Sequence, residues 1–140
     1  MKLRLGLCAT RRTASSRTGA LWRFWGRTIR VATLFLEKLG PQGRCVNHVV
    51  SQNKVRANGA YGIILEATEN CMVLGNKSYE NGKDGIAVDS TNGPAQFNAI
   101  VGNRCAENAG TGVHIGTGSL STCVEGNRET RNARARSAHP

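Results

Sequence analysis

Aromatic residues, long apolar runs and paired cysteine motifs are scarce or missing in this sequence. Aromatic residues make up 5% of the 140 residues, which is too few for an ordinary layered α/β core. No apolar run approaches the roughly 18–20 residues of a membrane span. The five cysteines form no CxxC motif and have no histidine at zinc spacing, so we expect no structural metal and mostly buried, free thiols.

Acidic residues are almost missing from the first 44 residues, so the net charge of +10 is unevenly distributed. Residues 1–44 carry ten Lys or Arg and one acid, Glu37, whereas residues 45–132 carry seven basic and eight acidic residues. A compact nucleic-acid module carries its positive charge on the folded body. We therefore expect no nucleic-acid partner.

Asparagine and glycine are abundant, and they form an internal repeat. Pairs of Asn five residues apart recur at spacings of 23, 27 and 24 residues, namely Asn53/Asn58, Asn76/Asn81, Asn103/Asn108 and Asn127/Asn132. Four residues after the second Asn, Gly62, Gly85 and Gly112 each begin an alternating apolar segment typical of a strand with one buried face. A unit this short buries no core alone, which predicts stacked coils with a shared core.

Each repeated residue has an expected role at a corner of the coil. Asn tolerates the left-handed conformation, and its amide in stacked coils about 4.8 Å apart forms a hydrogen-bonded ladder. We expect positive φ angles at Gly62, Gly85 and Gly112. The second coil is longer by three or four residues at Ser90–Phe97, which predicts a protruding loop.

The pattern Asn-x4-Asn-x3-Gly-(Ile/Val)-x-apolar resembles the coil of right-handed parallel β-helix repeat proteins, the pectate-lyase-like superfamily. The resemblance covers residues 47–132 and implies an all-β solenoid of about 3–4 coils. Its members include polysaccharide lyases, hydrolases and C5-epimerases, but no catalytic signature of any one of them is present here. Catalytic members are usually longer, so the chain resembles a fragment, a terminal segment or a degenerate relative. The resemblance also implies an extracellular or periplasmic location, although residues 1–20 contain no convincing secretory signal.

The remaining segments flank the repeats at 45–132. We interpret residues 1–20 as a basic leader, disordered or targeting, and residues 133–140 as a disordered basic tail. Within 21–40, apolar residues at 3–4 spacing with arginines on the other face predict an amphipathic helix. This helix caps the open end of the solenoid, lies on a membrane surface, or belongs to a leader or a mis-assigned start.

Four cations follow the first Asn of each pair, at Lys54, Lys77, Arg104 and Arg128. Stacked coils align them in a positive row, where a regularly charged polymer such as a uronic-acid polysaccharide fits. The alternative is a solvated corner row, partly neutralised by Glu80 and Glu107. These cations are the predicted ligand-binding residues.

Three further residues form the candidate catalytic set. Glu66 and Asp89 end successive strands, and His114 lies two positions earlier in the third copy. Stacked carboxylates provide a general acid or hold Ca²⁺ through oxygen ligands, and histidine carries protons near neutral pH. The alternative is a set of ordinary polar strand ends.

Two functional hypotheses follow. The first is a β-helix module associated with an acidic polysaccharide, which it binds or once processed as a lyase, hydrolase or epimerase, with Ca²⁺ as a possible cofactor. The second is a non-catalytic structural solenoid that acts as a spacer or oligomer scaffold, with a second copy or further β-helix coils as partners.

Overall fold

The computed structural model describes residues 45–134 in full and, before them, the backbone of three strands at residues 23–25, 28–30 and 34–37. The described residues form β-strands and no helix. The strands are β1 (Arg23–Trp25), β2 (Thr28–Arg30), β3 (Leu34–Glu37), β4 (Cys45–Val46), β5 (Val49–Ser51), β6 (Lys54–Arg56), β7 (Ile63–Glu66), β8 (Thr68–Glu69), β9 (Met72–Leu74), β10 (Lys77–Tyr79), β11 (Ile86–Asp89), β12 (Ala99–Val101), β13 (Arg104–Ala106), β14 (Val113–Ile115), β15 (Cys123–Glu125) and β16 (Arg128–Thr130).

The strands build three main parallel sheets that the chain visits in turn. Sheet A stacks β1, β5, β9, β12 and β15, sheet B stacks β2, β6, β10, β13 and β16, and sheet C stacks β3, β7, β11 and β14. A short fourth sheet pairs β4 with β8. Each strand pairs with the equivalent strand one coil away, so the chain forms a parallel β-solenoid of about four turns. The expected all-β solenoid is confirmed.

The amphipathic helix expected over 21–40 is not confirmed, because the described residues of this range are β1, β2 and β3. These strands pair in parallel with β5, β6 and β7, and therefore add a coil to the first edge of all three sheets. The unpaired backbone groups of a sheet edge explain this choice, since a strand satisfies them and a helix does not. None of the described segments is a helix long and apolar enough to cross a membrane. The leader at 1–20 lies outside the described residues, as does the tail from residue 135 onward.

The core is built from columns of identical register position. In sheet C, the side chains of Ile63, Ile86 and Val113 stack on one another with no solvent exposure. Leu65 and Val88 form a second column, which the partly buried Ile115 extends. The alternation of strand side chains sends these residues inward, as the repeat predicts.

Two ladders of asparagine side chains run parallel to the axis inside the coil. In the first ladder, the backbone N–H of Asn53 and its Nδ2 both donate to Oδ1 of Asn76, at 2.9 and 3.1 Å. The same pair of bonds joins Asn76 to Asn103 and Asn103 to Asn127. The second ladder repeats the arrangement through Asn58, Asn81, Asn108 and Asn132. The expected ladders are confirmed.

The left-handed corner residues are those that precede the ladder asparagines, so the expected left-handed conformation at Asn itself is wrong. The φ angle is +54° at Ala57, +55° at Glu80 and +56° at Glu107, each directly before an Asn of the second ladder. The turn at this residue directs the next side chain into the core. The Asn backbone N–H then points along the axis, where it donates to the neighbouring amide.

Gly62, Gly85 and Gly112 do not have the positive φ angles that we expected. Glycine recurs at these positions because the neighbouring coil lies too close for a Cβ atom. A Cβ atom on Gly85 would lie 2.7 Å from the carbonyl oxygen of Gly112 and 2.8 Å from Nδ2 of Asn108. Gly62 would meet the carbonyl oxygen of Gly85 at 2.5 Å. At this place the backbone of one coil lies against the backbone carbonyl and the ladder asparagine of the next, which leaves no room for a Cβ atom.

Replacement of an interior ladder residue should destabilise the protein strongly. In Asn81→Ala, the buried N–H and Nδ2 of Asn58 lose their acceptor, at a cost of roughly 2–4 kcal/mol in the free energy of unfolding. Asn132→Ala is the matched control, because Asn132 is half-buried at the last coil and water can replace its oxygen. Urea denaturation measures both variants, and equal losses would contradict a ladder whose strength comes from burial.

A methyl group at Gly85 should also destabilise the protein, by about 2–3 kcal/mol, since the two backbones must move apart. Gly59→Ala is the control, because a Cβ at Gly59 meets no atom within 4 Å. We expect the unfolding temperature of Gly85→Ala to fall and that of Gly59→Ala to stay near the parent value. A loss at Gly59 as large as that at Gly85 would show that backbone freedom, not close approach, explains both glycines.

Candidate functional site

The four predicted cations lie in one column on the outer face of sheet B. The strand register pairs Lys54 with Lys77, Lys77 with Arg104, and Arg104 with Arg128. All four side chains are exposed. With adjacent strands about 4.8 Å apart, the column is about 14 Å long. We call these four residues the cation column.

Two residues further along the same strands, Tyr79 and Arg56 lie beside the column. Tyr79 and Arg56 are register partners, and the guanidinium carbon of Arg56 is 5.5 Å from the centre of the Tyr79 ring. Lys54 Nζ lies 5.4 Å from the same ring centre. These distances are within the range of cation–π attraction, so the aromatic ring holds two cations close to the column.

Glu80 and Glu107 were the acids expected to neutralise part of the cation column, but each forms its ion pair with another arginine. Arg56 Nε donates to Glu80 Oε2 at 3.0 Å, and Arg131 pairs with Glu107. Both acids thus pair with arginines outside the cation column. Among the residues described with side chains, no ion pair involves Lys77 or Arg104.

A shallow groove of about 290 Å³ follows the cation column. Three residues of the cation column line it, namely Lys54, Lys77 and Arg104. The rest of its lining is Tyr79, Glu80, Ala106, Glu107 and Arg131. The groove runs across several coils, and its cations repeat once per coil. This geometry suits an elongated anionic ligand better than a compact one.

The predicted catalytic residues are only partly brought together. Asp89 is the register partner of Glu66, so the two carboxylates end adjacent strands. His114 pairs with Ala87, two positions before Asp89, and therefore lies diagonally from the carboxylate pair. Ala87 and Ile64, which occupy the same column as His114, are 2% and 4% exposed. The face expected to be open is therefore covered in its first two coils.

Both carboxylates hold the inserted loop Ser90–Phe97. Asp89 Oδ1 accepts hydrogen bonds from the backbone N–H of Thr91 at 2.9 Å and from its hydroxyl at 2.6 Å. The amide of Asn92 donates to Glu66 Oε1. The first part of this segment is a turn anchored to the strand ends by these two acids, whereas Ala95 is buried in the core and Gln96 forms parallel bridges with Glu69 and Leu120. Among the residues described with side chains, no group of three or more His, Cys, Asp or Glu is placed to hold a metal ion.

The comparison with protein families agrees with this geometry. The family described as right handed beta helix region matches residues 39–136. The chain belongs to this right-handed β-helix family. No curated protein and no solved structure matches the chain. Membership of a β-helix family establishes the fold and leaves the chemistry open, because one such fold supports many activities.

Sequence reasoning missed two features of this β-helix site. The first is Glu37, whose register partner is Glu66, so the backbone places three acidic positions in one column. Reading residues 21–40 as a helix concealed this alignment. The second is Tyr79, which lies beside the cation column. Side chains two residues apart on a strand share a face, so the position of Lys77 was sufficient to predict that of Tyr79.

The thiols of the β-helix are mostly buried, as expected. Cys45, Cys71 and Cys105 are buried thiols, whereas Cys123 is exposed on the last strand of sheet A. Burial, together with the nearby negative charge of Glu129, raises the pKa of the Cys105 thiol from 9.0 to about 12.

The shifted thiol makes stability depend on alkaline pH. The folded protein keeps the Cys105 proton up to a pKa of about 12, while the unfolded chain loses it near 9.0. The stabilisation is fully present below the unfolded pKa, and the free energy of unfolding falls as the pH rises from there toward the folded pKa. In Cys105→Ala this decline should be shallower, as measured by denaturant unfolding at several pH values. Parallel slopes for the two proteins would contradict the assignment.

Proposed function

We propose that this β-helix is a non-catalytic module that binds an acidic polysaccharide along the outer face of sheet B. The observation that carries the proposal is the cation column, in which one cation per coil repeats in register. A ligand that uses all four positions must itself carry regularly repeated negative charge. A polymer of uronic acids has this property.

The electrostatics of the groove support the same ligand. The glutamates along the groove pair with Arg56 and Arg131, so they do not cancel the charge of Lys77 and Arg104. Tyr79 adds an apolar ring surface between charged groups, of the kind that packs against a sugar ring. The described body has nearly balanced charge, so the attraction is local to the column and sensitive to salt.

Binding is preferred to turnover because of what the candidate catalytic residues do. Glu66 and Asp89 organise the loop Ser90–Phe97, and His114 is displaced from them along the strand direction. Lyase, hydrolase or epimerase activity would need these carboxylates at the substrate. Ca²⁺ enters the proposal only as a bridging ion between polymer and protein carboxylates. An extracellular or periplasmic location, where acidic polysaccharides are found, belongs to the same proposal.

The second candidate is a purely structural solenoid, and the continuous ladders of buried asparagine favour it. The ladders extend through every fully described coil and require no ligand. A spacer of this kind has no preference among polymers, whereas the binding module distinguishes acidic from neutral ones. The two candidates therefore differ in one measurement.

Affinity electrophoresis in gels that contain pectin, alginate or a neutral glucan tests the proposal. We expect retardation by the acidic polymers at low salt and its loss at high salt, with and without Ca²⁺. The double variant Lys77→Ala/Arg104→Ala should bind roughly thirtyfold more weakly, since each of the two cations contributes about 1 kcal/mol near an anionic surface.

The matched control is Lys83→Ala, which removes an exposed lysine that lies over the ring of Tyr61, outside the groove. Its retardation should equal that of the parent protein. Equal weakening by Lys83→Ala would indicate a non-specific effect of net charge. No retardation of the parent by any acidic polymer would favour the structural solenoid, and stronger retention by single-stranded nucleic acid would replace the proposed ligand.

A further inference from the structure

The C-terminal end of the solenoid has a charged residue at a core position. The inward column of sheet B runs through Val55, Ser78 and Cys105, which are fully buried. The next register position is Glu129, on the last strand of the sheet. A carboxylate here stands where an aliphatic, hydroxyl or thiol group stands in the earlier coils.

The carboxylate of Glu129 replaces a backbone carbonyl that the next coil would supply. In the earlier coils, the backbone N–H that opens each sheet C strand donates to a glycine of the next coil, from Ile63 to Gly85 and from Ile86 to Gly112, both at 2.9 Å. In the third copy, Val113 N–H donates to Glu129 Oε2 at 3.1 Å. The side chain thus reaches across from sheet B and satisfies the first backbone N–H at the edge of sheet C.

We propose that Glu129 closes the C-terminal end of the solenoid and prevents a second copy of the chain from stacking there. Three strand edges end at this face, those of β14, β15 and β16. Such edges promote pairing with another chain unless a charged residue points into the stacking face. Glu129 is that residue.

The strand register shows why a second copy is excluded. In the first coil, Ile29 pairs with Val55, so an axially stacked copy would bring Ile29 to the column position after Glu129. Burial of a carboxylate between two stacked coils is strongly unfavourable. The charge of Glu129 therefore opposes continuation of the sheets by another copy.

Sedimentation velocity of the full chain and its Glu129→Val variant tests the proposal. Valine is the residue found in the same column at Val55. We expect the parent protein to be monomeric over the whole concentration range. The variant should show a weight-average mass that rises with concentration to about twice that of the parent or more, because its open edges are no longer guarded by charge. The control Glu125→Val removes an exposed acid from the neighbouring edge strand β15 and should leave the parent behaviour unchanged.

Glu129→Gln separates the charge from the hydrogen bond and remains informative if the valine variant does not fold. Its side-chain oxygen still accepts from Val113, so the exchange rate of the Val113 amide hydrogen should stay slow, while the valine variant exchanges it roughly tenfold faster or more. Self-association of the glutamine variant should exceed that of the parent. A folded Glu129→Val or Glu129→Gln variant as monomeric as the parent would overturn the proposal, and so would unchanged exchange at Val113 in the valine variant.

Discussion

The buried amide of asparagine is the interaction on which the rest of this structure depends. Each interior ladder residue accepts two hydrogen bonds at Oδ1 from one neighbouring coil, while its own N–H and Nδ2 donate to the other. Burial of an amide this deep is costly wherever one of these bonds does not form. The ladder therefore holds neighbouring coils at the strand spacing, and a slip of one residue would break every rung at once. Within the coils that carry the ladder asparagines, the register of the sheets and the alignment of the core columns agree with this requirement.

The outer surface of the solenoid is as regular as its core. Because the ladder aligns equivalent residues, every outward position becomes a column, and a cation at one position of the repeat becomes the cation column. Extra residues are tolerated in parts of the coil that contain no ladder asparagine. The loop Ser90–Phe97 lies between the end of β11 and the turn at Asn98. The side chain of Asn98 bonds to Thr68 and to the backbone of Cys71 rather than to another asparagine. The longer second coil thus disturbs neither ladder. In such a solenoid we expect binding residues in the outward-facing columns and in the loop before the turn at Asn98.

The repeat made most of the fold predictable, because two fixed Asn spacings and the apolar alternation are direct consequences of stacking. The cation column was predictable for the same reason, and so was the adjacency of Glu66 and Asp89. The fold of residues 21–40 was not predictable, since apolar residues at 3–4 spacing are typical of a helix, whereas the described residues of this range are three short strands. The corner conformation was missed because the left-handed residue is chemically unconstrained: Ala57, Glu80 and Arg131 all adopt it. The contacts of Thr91 and Asn92 with the carboxylates depend on loop geometry, which no period encodes.

The two ends of the solenoid obey a different rule from its interior. Inside, each coil is satisfied by its neighbours, so residue choice follows the repeat. At an end, the same backbone groups need a substitute, and the residues there must depart from the repeat to provide one. Strands β1 to β3 continue the sheets without ladder asparagines, whereas at the other end a carboxylate enters a column otherwise free of charge. Departure from the repeat is thus itself a signal, because it marks a place where a side chain, rather than a neighbouring coil, satisfies a backbone N–H group.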